Sequence, residues 1–139
     1  MTRADWFQRL ISRLRPRFKR AGIPIPAVVI ADSGLRSGKG SRARKRAERK
    51  YDGECWPTTP PEIYIATRLD DTMEVANAFV HELVHAASTQ EHDDEFFAAC
   101  KAVGLRLGRE PNLKTTTELG PRLRKSLERI VREIGEYPA

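Results

Sequence analysis

All three histidines of the 139-residue chain fall between positions 81 and 92. The segment reads His81-Glu82-Leu83-Val84-His85-Ala86-Ala87-Ser88-Thr89-Gln90-Glu91-His92, and its first five residues form the pattern H-E-x-x-H. Residues i and i+4 share one helix face, about 6 Å apart along the axis. His81 and His85 can therefore converge on one Zn2+ at about 2.1 Å each. Glu82 is rotated about 100° from His81, so it can reach a metal-bound water without ligating the metal. The metal lowers the pKa of that water, Glu82 takes its proton, and the same carboxyl can pass a proton to a leaving amine. This is the chemistry of metal-assisted hydrolysis, for which a peptide bond is one fitting substrate.

A catalytic zinc has three protein ligands and one open position. His92 is the natural third ligand. On an unbroken helix it would lie about 10 Å beyond His85 and could not share the ion, so the assignment demands a break between Ala86 and His92. Ser88-Thr89-Gln90-Glu91 permits one. The rivals for the third position are Glu91, Asp93, Asp94, Glu95 and the more distant Glu110, although acids at 93–95 also suit a helix N-terminus. Either Tyr64 or Tyr137 is a candidate donor to the oxyanion.

The surrounding elements must hold these residues. Thr2 with Asp5 forms a short capping box. Trp6, Leu10 and Leu14, with Phe7, Ile11 and Phe18, make one apolar helical stripe. Pro16 is expected to end or kink that helix near Leu14 or Arg15. Val28 to Ala31 reads as a short buried strand, Tyr51 to Trp56 as a second, and Glu62 to Thr67 as a third. Apolar positions from Met73 to about Ser88 fit a buried helix. A further helix starts near Asp93 and ends at Gly104, and the last opens at Gly120-Pro121 and stops at Gly135.

Charge is unevenly distributed. The net charge is +6, but residues 1–50 carry 15 Lys/Arg against 3 acids, and residues 51–100 carry 1 Arg against 11 acids. Residues 101–139 hold 9 basic and 5 acidic side chains. The metal-binding pattern thus lies in an acidic block. The arginines of the first helix read as solvated. A mobile basic loop is expected at 33–50, with eight Lys/Arg between 36 and 50. Arg42, Arg44, Lys45, Arg46, Arg49 and Lys50 are its candidates for binding DNA or RNA phosphates. Two cysteines, Cys55 and Cys100, are too few for a disulfide framework or a four-cysteine zinc ribbon and read as reduced thiols. No apolar run is long enough for a secretory signal or a membrane span, so neither a membrane partner nor a location outside the cytoplasm is expected.

The chain resembles the SprT-like zinc metallopeptidases, in particular the short versions found in bacteriophage and bacterial genomes. The carrying segments are Leu14-Arg15-Pro16-Arg17-Phe18, Gly53-Glu54-Cys55-Trp56, Pro61-Glu62-Ile63-Tyr64-Ile65, His81 to Phe96, and Ile134-Gly135-Glu136-Tyr137-Pro138. They span nearly the whole chain. In the family, H-E-x-x-H is followed by a His, then Gly, then Phe a few residues on; His92 and Phe96 match, and Asp93 stands where the Gly would be. The resemblance implies zinc on His81, His85 and His92 with Glu82 as base. It implies a compact α+β, zincin-like single domain over 1–139: an N-terminal helix, a sheet of about three strands, the H-E-x-x-H helix and two further C-terminal helices. It makes the strand at 62–67 the candidate edge for an extended protein or peptide substrate. Some relatives, the Spartan-type proteases, cleave proteins attached to DNA. The resemblance places the chain in the cytoplasm of a bacterium or of a phage-infected host.

Two other functions fit the same residues. One is a non-catalytic nucleic-acid-binding adaptor with a structural zinc, against which Glu82 argues, because a structural site needs no Glu there. The other is a metal hydrolase acting on a non-peptide substrate, which H-E-x-x-H alone does not separate from a peptidase.

Overall fold

The computed structural model describes residues 1–31, 52–108 and 116–139. The basic segment 33–50, with its six candidate phosphate-binding residues, lies outside the described residues, as does Glu110.

Helix α1, Arg3–Arg20, begins with the expected capping box: Thr2 accepts from the Asp5 backbone N–H, and Asp5 accepts from that of Thr2. Its buried face is the expected stripe, Trp6, Phe7, Leu10, Ile11, Leu14 and Phe18. The helix does not end near Leu14 or Arg15, the first of the two outcomes expected of Pro16, but continues through it to Arg20. Proline removes one N–H and crowds the carbonyl four residues back. Here both Pro16 and Ser12 are exposed, so water can satisfy the freed carbonyl. Leu14 and Phe18 on either side are held in the core, and their burial outweighs the local penalty.

Strands β1 (Val29–Ile30), β2 (Gly53–Trp56) and β3 (Glu62–Ile65) form one sheet in the order β1-β3-β2. β1 runs parallel to β3 and β2 antiparallel to it. The strand read as a peptide-receiving edge is therefore the central one, and β1 and β2 flank it. All four residues of β3 are buried. Ile63 and Ile65 enter the main core, whereas Tyr64 stacks on Trp56 in a second, smaller cluster, ring centroids 6.4 Å apart. β1 and β2 pair both edges of β3, its Ile63 and Ile65 face is packed into the main core, and Trp56 and Ala31 cover Tyr64 on the other, so no residue of the strand is left half-buried.

Helix α2, Thr72–Ala87, packs on β2 and β3. Asp71 caps it by accepting from the Glu74 N–H at 3.0 Å. Helix α3, Asp94–Val103, ends at Gly104 in the left-handed region, φ +108°. A side chain there would also strike Leu123 Cβ at 2.8 Å, so both backbone and packing require glycine. Next comes an antiparallel ribbon that was not read from the sequence, β4 (Leu105–Leu107) with β5 (Thr117–Leu119). Three residues per strand give too little periodicity to register. Helix α4, Pro121–Ile134, runs back along α1. The fold is α+β, with four helices and two small sheets among the described residues. No described helix is long and apolar enough to cross a membrane.

Candidate metal centre

His81, Glu82 and His85 lie near the C-terminal end of α2. The helix stops at Ala87, and Ser88 takes φ −132°, ψ −91°, outside the helical region. Ser88 Oγ donates back to the Val84 carbonyl at 2.6 Å, a local bond that competes with helix continuation. Asp93 then opens α3 by accepting from the Phe96 N–H at 2.9 Å. Asp93 is in extended backbone, φ −107°, so this turn does not need the glycine of the family pattern. The break that the third ligand demanded is present, and it carries His92 back over His85.

The three imidazoles converge. His85 Nε2 and His92 Nε2 are 3.2 Å apart, and one nitrogen from each of His81, His85 and His92 lies within 4.8 Å of the other two. Two nitrogens bound tetrahedrally to a zinc at about 2.1 Å would be roughly 3.4 Å apart. Ring orientation is fixed from behind. His85 Nδ1 donates to the Thr89 carbonyl at 2.7 Å, which leaves the Nε2 lone pair of the neutral ring facing inward. His81 Nδ1 lies 2.9 Å from Thr117 Oγ1 on β5. Asn77, one turn earlier on α2, donates to the Thr117 carbonyl at 3.2 Å and holds β5 in place. A shared proton could bridge only His85 and His92, whereas a cation serves all three rings. The donor set therefore fits a metal ion.

Phe96 ties the cluster together from α3. Its ring stacks on His85 at 4.1 Å and meets His81 and His92 edge-on at 5.1 and 5.2 Å. This apolar wall keeps the imidazoles neutral. Burial pulls His81 down to about 3 and His85 down to about 4, and it lowers the more exposed His92 as well. Neutral imidazole is the form that binds metal.

Glu82 is buried against β2. A side chain at Gly53 would come within 3.3 Å of Glu82 Cγ, and it would strike Ile65 Cδ1 and the Tyr64 carbonyl at under 3 Å. Gly53 is thus what lets α2 press onto the sheet at this point. Burial, helped by the charges of Glu54 and Asp52, raises the Glu82 carboxyl to about 8. Cys55, on the same face of β2, has its thiol pushed up to about 12 by burial and by the nearby Glu82, so it is a thiol and not a thiolate.

Among the described residues the potential ligand cluster consists of the three histidines alone. Asp93 is committed to the cap, and Glu91, Asp94 and Glu95 are exposed. Neither tyrosine considered as an oxyanion donor joins the cluster. Tyr137 packs between Trp6 and Phe7 with its hydroxyl accepting from Arg3 Nε, and Tyr64 faces away from α2 on Trp56. The sequence did not single out Thr117, nor show that Thr89 would hold His85 and that Gly53 would lie against Glu82. Thr117 lies 36 residues from His81, and no spacing rule connects them.

Compared with protein-family models, with curated proteins and with solved structures, the chain has no match.

Proposed function

We propose that the chain is a zinc-dependent metallopeptidase of the SprT-like, zincin type. The observation that carries this reading is the convergence of three neutral imidazoles, two of them anchored through Nδ1, with a buried carboxyl one residue from the first. Zinc held by His81, His85 and His92 would supply Lewis acidity and acidify a water. Glu82 takes the proton of the attacking water and returns a proton to the leaving amine. Phe96 excludes water from one side of the site. The substrate is a protein or peptide, and the basic segment 33–50 suits proteins carried on DNA or RNA.

The full chain, reconstituted with one equivalent of zinc, is expected to cut an unstructured protein such as casein, alone or with duplex DNA present. A chelator should stop the cleavage and added zinc restore it. Stoichiometric zinc with no cleavage under either condition would leave the adaptor reading standing instead.

Thr117→Val removes the hydroxyl that lies against His81 Nδ1 while keeping the side chain's shape. Loss of an outer partner of this kind typically weakens metal affinity 10–100-fold. Competition with a chromophoric chelator should show a loss of about tenfold or more, with the apo fold unchanged. Unchanged affinity would mean that Thr117 is mere packing.

A further inference from the structure

Away from the metal centre, α1 and α4 lie antiparallel, and the pairing collects arginines that are more than a hundred positions apart in the chain. Arg13 pairs with Glu133, and one turn on Arg17 Nη2 donates to Ser126 Oγ at 2.6 Å. Arg17 Nη1 also donates to the Val103 carbonyl at 3.2 Å, so this half-buried guanidinium is pinned at both ends. Arg13, Arg17, Arg20 and Arg129 line one cleft floored by Leu14 and Ile130. Over their lengths α1 and α4 hold 12 Lys/Arg against 3 acids.

Among the described residues, counter-charge reaches one end of this cleft. Glu133 serves Arg13, and among the described residues no carboxylate pairs with Arg17, Arg20 or Arg129. Like charges gathered in a concavity over a low-dielectric floor focus a positive potential. Guanidinium forks match phosphate oxygens in geometry as well as charge. Along α1, Arg13 to Arg20 spans about 10 Å, the rise of about three phosphates on one strand of a duplex.

We infer that the cleft between α1 and α4 binds the phosphate backbone of a nucleic acid. A membrane surface is the poorer fit, because surface helices insert an apolar face. The apolar stripes of α1 and α4 are buried, and the only exposed large apolar side chains among the described residues are Met1 and Leu107. The cleft sits beside Gly104, at the opposite end of α3 from His92. Asp93 to Gly104 spans about 16 Å, so the site is separate from the metal centre and does not depend on the peptidase reading. It uses arginines that the sequence pattern left as a solvated face.

The test uses the full chain and a fluorescein-labelled 20-bp duplex of mixed sequence, titrated from about 50 to 200 mM salt. Arg20 and Arg129 are exposed, so R20Q/R129Q should fold normally, which the melting temperature checks. The double variant is expected to bind at least about tenfold more weakly, and its slope of log K against log salt should fall by about 2, near 0.9 per lost phosphate contact. The same loss should appear in a background already neutralised at Arg42, Arg44, Lys45 and Arg46. Wild-type affinity and slope in R20Q/R129Q would overturn the inference, as would no duplex binding by the wild type. Binding to phosphatidylserine vesicles that R20Q/R129Q abolishes, with duplex binding untouched, would overturn it in favour of a lipid headgroup.

Discussion

Glu82→Gln is expected to hold zinc with wild-type stoichiometry and to lose about 10²- to 10⁴-fold in peptide cleavage. Glutamine keeps the shape of the side chain and fills the same buried space against Gly53, so the helix and the three histidines should stay where they are. What disappears is the ability to accept a proton. Cleavage at the wild-type rate would remove Glu82 from the mechanism; loss of zinc would make it a ligand instead. Measuring both quantities on one sample separates the two.

The same substitution should leave a mark on the metal-free protein. Glu82 keeps its proton up to about 8 when folded, against an ordinary value of 4.5. Between those values the folded state binds more protons than the unfolded chain, so this contribution is full below pH 4.5 and is lost as pH rises through 8. His81 and His85 act in the other direction. Their folded values are about 3 and about 4, against 6.5 unfolded, so their contribution is present above pH 6.5 and is lost as pH falls toward those values. The apo protein should be most stable near pH 6.5. At pH 8 the Gln variant should melt on the order of 5 °C higher than the wild type. Identical melting temperatures from pH 5 to 8 would show that Glu82 is not held protonated by the fold. Zinc opposes this effect, since a cation close by favours the carboxylate.

The histidine pattern and several helix ends were legible in the sequence because both are local. H-E-x-x-H fixes two imidazoles on one helix face, and Asp71, Asp93 and Gly104 punctuate helices within a few residues of themselves. The turn at Ser88 was legible for a different reason: three histidines that are to share one ion leave no alternative to a break before His92. What was not legible depends on pairing between distant segments. Nothing near Glu62–Ile65 says that β3 lies between β1 and β2, and nothing near Thr117 says that it will stand behind His81. An end at Pro16 is what the local rule favours, and the burial of Leu14 and Phe18 carries the helix past it. The arginines of α1 read as a solvated face until α4 brought Arg129 beside them. Net charge by segment pointed to the basic run at 36–50; the packing of two helices added a second concentration that no single segment shows.

His92→Ala is expected to abolish stoichiometric zinc binding, with affinity falling at least about 100-fold, more than the loss of a typical outer-shell partner. The two helical histidines alone leave half of a tetrahedral site to water. His92 is the most exposed of the three, and it stands on the connection between α2 and α3, not inside either helix. Its removal therefore costs the apo fold little, whereas truncating His81 or His85 would also open space beneath Phe96. That contrast makes His92 the informative position. At free zinc 100 times above the wild-type Kd, binding to the folded state adds about 2.7 kcal/mol of stability. The zinc-dependent rise in melting temperature should be present in the wild type and missing in His92→Ala, while the two apo proteins melt together. One equivalent of zinc in the variant would refute the third ligand and return the choice to Glu91, Asp93, Asp94, Glu95 and Glu110, of which Asp93 would have to give up its capping bond to reach the ion.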